Sequence, residues 1–183
     1  MHIVLHTRYA SYTGEILIPT RGTGEGGESY RLQDVLNNPL LLYKPDELRS
    51  RMIPLREVKV IFEGSAKIAM AEFPMTYLDP AHVEVVYALS QKTYDTGKAN
   101  LERHLTSPHA VQIEIVTYSQ RRISGVASLG LRMLTIPEPD KKFFALGQAR
   151  IKSLVTEEAE EEVPFILINR DYVVSFRELP AGE

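Results

Sequence analysis

Along most of the chain, apolar and polar positions alternate with period two or run apolar over strand length. HIVLH (His2 to His6) and IEIV (Ile113 to Val116) alternate or run apolar over strand length, while VEVVYAL (Val83 to Leu89) and YVVSFREL (Tyr172 to Leu179) are rich in β-branched and aromatic residues. Side chains of that kind suit a pleated, half-buried surface, so each run predicts a strand. Asp79-Pro80 and Asn169-Arg170-Asp171 break apolar runs with turn chemistry, short Asx side chains being tolerant of left-handed backbone. A helical period shows clearly once. In YRLQDVLNNP, Leu32, Val35 and Leu36 fall at i, i+3 and i+4 and Pro39 stops the run, predicting a short helix. KPDELRSR (Lys44 to Arg51) predicts one more helical turn, and Thr96 to Leu105 a short helix in a polar stretch.

These elements recur. FPMTYLDPAHVEVVYAL (Phe73 to Leu89) and VPFILINRDYVVSFREL (Val163 to Leu179) align without a gap, sharing a Pro, a Val and the last Leu, with Asp or Asn at each turn. HIVLHTRYASYTGEILIP (His2 to Pro19) aligns with IEIVTYSQRRISGVASLG (Ile113 to Gly130), placing Gly14 on Gly125, Tyr12 on Ile123, Val4 on Ile115 and Leu5 on Val116. IPLREVKVI (Ile53 to Ile61) aligns with FALGQARIK (Phe144 to Lys152). The separation is 111 residues for the amino-terminal pair, then 91 and 90, so the first copy carries an insertion that the second lacks. A fixed order of similar elements marks an internal duplication. The expected organisation is a first repeat over residues 1–90 with a helical insertion at about 30–51, a linker at 91–109, and a second repeat over 110–183. Mid-strand glycines at Gly14 and Gly125 predict a bulge or sharp bend, the device with which small barrels curl a sheet and hide its edges.

Charge and composition narrow the function. The chain has 183 residues and a net charge of −3, and residues 1–92 carry ten basic and eleven acidic side chains against eleven and thirteen in the remainder. There is no basic domain to give the electrostatic footprint of a nucleic-acid binder. The chain has no Cys, which excludes disulfides, thiolate metal sites and cysteine nucleophiles and suits a reducing compartment. No basic run precedes HIVLH and no eighteen apolar residues are consecutive, so neither a signal peptide nor membrane insertion is expected. A cytoplasmic location is the expectation.

ILINRDYVVSFRELP, two strands about a short polar turn with Arg170, resembles the second Sm motif of Sm-like barrels. YTGEILI and ISGVASL, with Gly14 and Gly125, are similar to the start of the first Sm motif, where a Gly lets the strand bend. RLQDVLNN followed by MIPLREVKV is similar to an uncharacterised bacterial family of small barrels known as a domain of unknown function. The resemblance implies a mainly β fold of two tandem Sm/SH3-like small β-barrel units, with short helices in the insertion and linker. It implies RNA contact only at Asn169 and Arg170. After the bent strands the chain runs EILIPTRG and VASLGLRM, without the Asp and Asn that help RNA-binding members hold a base, and the first copy has Pro80 where the second has Arg170.

Other chemistry finds little support. GTGEGGES (Gly22 to Ser29) lacks the Gly-Lys-Ser/Thr of a phosphate loop, and Glu25 and Glu28 would repel an anion, so it reads as a flexible loop. His2 and His6 lie about 13 Å apart along one strand face, too far for one metal, and His82, His104 and His109 sit near turns. No cofactor, metal ligand set or catalytic residue is expected. TEEAEEE (Thr156 to Glu162) reads as a solvated loop. Arg121, Arg122, Arg132, Lys141, Lys142, Arg150 and Lys152, with Tyr118, form either a phosphate-contacting face or a solvated strand face balanced by that Glu run, and the charge balance favours the second. The expected function is a non-enzymatic interaction or assembly module that binds protein partners or self-associates into a homo-oligomer through barrel edges. The alternative is an Sm-like RNA-binding protein using the turn Asn169 to Asp171 with Arg121, Arg122 and Lys152.

Overall fold

The computed structural model describes residues 1–18, 30–42, 51–62, 69–89, 105–128, 141–155 and 159–180. The glycine-rich stretch, the helical turn expected at 44–51, most of the linker with its expected helix, and Arg132 lie outside the described residues. The fold is mainly β. Five strands come from the first half: β1 (His2–Thr7), β2 (Ala10–Glu15), β3 (Ile53–Phe62), β4 (Ala69–Leu78) and β5 (Val83–Ala88). Five come from the second: β6 (Val111–Thr117), β7 (Arg121–Ala127), β8 (Phe143–Ser153), β9 (Glu161–Asn169) and β10 (Val173–Glu178).

All ten form one antiparallel sheet in the order β10-β6-β7-β8-β9-β5-β1-β2-β3-β4. Each half therefore has the same internal order, last strand, then first to fourth. The sheet is open, so of the expected pair of small barrels, closed or partly open, the mainly β character holds and closure does not. The strand ends that a barrel would bring together within each half are used differently here. β9 is hydrogen-bonded to β5 of the other half, with Val85 opposite Ile168 and Val86 opposite Leu167.

The correspondence reaches the irregularities. Register shifts between Thr13 and Glu15 and between Ser124 and Val126, at Gly14 and Gly125. The extra residue lies on the partner strand in both, and it is left-handed in both: Glu57 at φ 49° and Gln148 at φ 48°. A β-carbon on Gly14 would stand 3.0 Å from the Arg56 carbonyl oxygen, and one on Gly125 3.0 Å from that of Gly147. Glycine is needed at these points for the approach of the next strand rather than for its φ angle.

The first hairpin corrects the ungapped alignment. Ile3 pairs with Gly14 as Ile113 pairs with Gly125, and Leu5 pairs with Tyr12 as Ile115 pairs with Ile123. Ile3 and Leu5 thus correspond to Ile113 and Ile115, and Val4 points to the other face. The second copy has one more turn residue, Tyr118-Ser119-Gln120 against Arg8-Tyr9, and Gln120 takes φ 58° to close it. A one-residue slip reverses every side chain in a strand, so the turn decides which face is apolar.

Two apolar cores result, one per half. The first holds Ile3, Leu5, Ile53, Leu55, Val58, Val60 and Val86, and α1 (Leu32–Asn37) covers it with Leu32, Val35 and Leu36, the three positions expected from the helical period. Asp79 and Asn169 each cap a single 3-10 turn, accepting from the amide nitrogens of Ala81 and Asp171 respectively. Their backbones are extended, so capping rather than left-handed tolerance is what these Asx residues supply. Glu161 and Glu162 open β9 opposite Ile151 and Arg150, a correction to the loop expected through residue 162. Their side chains stay exposed, so the strand can begin without burying charge.

Candidate functional site

The chemistry of this molecule concentrates where the halves meet. β5 reads Val-Glu-Val-Val-Tyr-Ala and is buried on both faces, because alternate side chains enter different cores. Val83 and Val86 join the first core and Val85 and Tyr87 the second. The exchange is mutual: Val4 of β1 packs in the second core, and Phe143 and Leu167 of the second half pack in the first. Helix α1 secures this crossing. Asn37 accepts from the Phe143 amide at 2.9 Å and donates to its carbonyl at 3.3 Å, and Gln33 donates to the same carbonyl at 2.9 Å.

Most polar groups buried at the joint are paired across it, Glu84 through Oε2 while its Oε1 is buried without a hydrogen bond among the described residues. Asn169 donates through Nδ2 to the Val83 carbonyl at 2.9 Å while its Oδ1 accepts from the Asp171 amide at 3.1 Å. Ser119, on the β6–β7 turn, donates to the fully buried Glu84 and receives a 2.6 Å bond from Arg121 Nη1. Tyr172 donates to the Ala81 carbonyl at 2.7 Å and meets Tyr118 edge to face. Burial first, then the nearby carboxylates of Glu84, Asp171 and Asp79, hold the Tyr172 phenol above its ordinary value, with Lys142 opposing. At the other end of β5, Tyr87 donates to Glu161 at 2.7 Å, and His6 lies between Ser11 (2.7 Å) and the Tyr87 hydroxyl (3.4 Å). Ser11 and His6 are cross-strand partners in a regular ladder. That pairing needs no strained nucleophile turn and is an ordinary strand contact.

The residues singled out for RNA contact divide into two groups. Asn169 and Arg121 turn inward to the joint and are buried, and Arg170 stands half-buried in the 3-10 turn Arg170–Tyr172. Arg122 and Lys152 are direct cross-strand partners on the outer face of the second half. Carboxylates are interleaved on that face. Glu114 lies within 4.0 Å of Arg122 and 2.9 Å of Arg177, Glu160 lies 3.8 Å from Arg122, and Glu162 lies 3.0 Å from Arg150. Such mixing works against a polyanion. Sequence reasoning passed over Glu84, Tyr87, Ser119 and Asn37. One signal was legible: an acidic side chain inside VEVVYAL has to find a partner if the strand is central.

The sheet ends form the second feature. β4 and β10 lie at the two ends of the strand order, and among the described residues nothing pairs with their outer edges. Met70, Phe73, Met75 and Tyr77 of β4 and Val174 and Phe176 of β10 are exposed. A long edge carrying apolar side chains is a template for another strand. No family model, curated protein or solved structure matches the chain. Among the described residues no helix is long and apolar enough to cross a membrane.

Proposed function

We propose that the chain is a non-enzymatic interaction and assembly module built from two Sm/SH3-like five-strand units, and that it works through its sheet edges. The strand order common to both halves and the paired bends at Gly14 and Gly125 support the unit reading. The observation that carries the functional reading is the pair of apolar edges, β4 and β10, that no strand among the described residues covers, on a molecule whose buried Asn169 and Glu84 serve the internal joint. Edge-strand addition draws affinity from main-chain hydrogen bonds and specificity from alternate side chains, and both are on offer here. The location proposed is cytoplasmic, and the partner is a protein strand.

Single-step affinity purification from the native host tests this, with the wild-type chain beside a Tyr77→Lys/Phe176→Lys variant. Some species, another copy or another protein, should follow the wild type and be lost from the variant. A chain that is monomeric and alone in both purifications contradicts the proposal.

A further inference from the structure

Resting on that edge reading, we infer that the partner is a second copy of the chain, joined head to tail, with β4 of one copy pairing with β10 of the next in the register of the internal β9–β5 joint. The molecule contains its own template. β9 and β4 are the fourth strands of their halves, and β5 and β10 the last. The joint inside the chain therefore unites one edge of each type, and among the described residues one edge of each type remains unpaired.

Residue correspondences follow from the ladders. Leu167 is paired with Ala145 in β8 as Tyr77 is paired with Pro54 in β3. Val86 is paired with Leu5 as Phe176 is paired with Ile115. The same bulge opens both last strands, at Thr7 against Val83 to Val85 and at Thr117 against Val173 to Ser175. Transferring the joint sets Ser175 opposite Leu78 and Phe176 opposite Tyr77.

Exposure shows what is missing. Leu167 and Val86 face each other inside the first core at 1% and 0% exposure, whereas their counterparts Tyr77 and Phe176 stand 52% and 40% exposed. Phe176 lies on the core face of its own half, beside Ile115, and among the described residues no equivalent of Leu167 covers it. Tyr77 lies on the face turned away from its own core, where Leu167 turns to reach the neighbouring half. Each edge lacks what the other carries. An interface between unlike edges propagates, closing into a ring when the rotation per copy divides a full turn and otherwise extending as a filament. A ring would contain an even number of five-strand units, with covalent and non-covalent joints alternating.

One contact does not transfer. Asn169 reaches across the joint as a donor to the Val83 carbonyl, and its counterpart Asp79 has no hydrogen to give. The intermolecular joint should therefore be weaker than the internal one, and Asp79→Asn should tighten it by roughly two- to tenfold, the yield of one hydrogen bond.

Sedimentation equilibrium of the purified full chain tests the inference, with circular dichroism confirming that each variant is folded. Wild type should self-associate, and Asp79→Asn should do so at lower concentration. Tyr77→Lys, which spoils β4, and Phe176→Lys, which spoils β10, should each weaken association roughly thirtyfold or more and be monomeric alone. Mixed in equal amounts they should form a dimer and nothing larger, because the mixture holds one good edge of each type. Either variant associating alone as the wild type does would show like-to-like pairing and overturn the inference. A wild type that stays monomeric at high concentration would overturn it as well. In that case a host protein lost from the double-lysine variant would leave the edge-module reading standing with a different partner.

Discussion

β5 and β10 occupy the same place in their two halves and live in opposite surroundings. Each follows a one-turn 3-10 segment capped by an Asx residue, pairs with the first strand of its half, and contains the same bulge. β5 is buried along nearly its whole length and β10 is exposed along nearly its whole length. What separates them is a neighbour: β5 has β9 on its far side, and the far side of β10 has no strand among the described residues. Their compositions agree with this. VEVVYA supplies apolar side chains to two cores, whereas VVSFRE holds Val174 and Phe176 among polar residues, one of which, Arg177, bonds Glu114 on the adjacent strand. The same backbone position is thus core or edge according to whether a strand is added, which is why β10 reads as a joint waiting to be completed.

The sharpest way to break the comparison is to put a charge at the same place in each strand. Val86→Asp would bury a carboxylate in the first core and should cost on the order of 4 kcal/mol or more, enough to unfold the first half. Phe176→Asp should change the stability of the isolated chain by about 1 kcal/mol or less, and urea denaturation at low protein concentration separates the two. Equal losses would mean that β10 is not an edge. The next test asks whether the halves are one design. Gly14→Ala and Gly125→Ala each force a β-carbon to 3.0 Å from a carbonyl oxygen and should destabilise by similar amounts, about 1–3 kcal/mol each. A large difference between them would separate the two bends.

These bends were visible in the sequence as glycines inside strand patterns, and α1 was visible as Leu32, Val35 and Leu36, because both depend on local rules. That both halves carry the same succession of strands along the chain followed from the repeat, whereas the order of those strands in the sheet was not read from it. The open sheet did not follow, because whether β9 pairs with its own half or with β5 depends on contacts between residues over seventy positions apart, such as Tyr87 with Glu161. The amino-terminal register was one residue off for a related reason: turn length, not strand composition, sets which residues face each other. At the candidate site, Asn169 looked like half of an RNA pocket because ILINRDYVVSFRELP resembles the second Sm motif, and its burial at the joint could not be read without knowing what lies beyond β9.

Smaller effects sharpen the joint itself. Asn169→Ala removes a cap and a bond across the joint and should cost about 2–3 kcal/mol, whereas Asp79→Ala removes only a cap and should cost about 1 kcal/mol. Thermal denaturation of the pair measures the difference. Tyr172 gives the smallest effect. Its raised phenol value means that the folded state favours the neutral form, so its contribution is complete below about pH 10 and is lost as the pH rises through the folded value. Tyr172→Phe should remove that alkaline limb, and a stability profile with the limb unchanged would assign it to another tyrosine.

Amide hydrogen exchange at a series of protein concentrations measures the central claim most directly, since it reports β5 and β10 in one experiment. β5 should exchange only by global unfolding at every concentration. β4 and β10 should exchange fast in dilute solution and become protected together as concentration rises, with β1 and β6 unchanged. Full protection of β10 in dilute solution, or concentration-dependent protection confined to one of the two edges, would contradict the account.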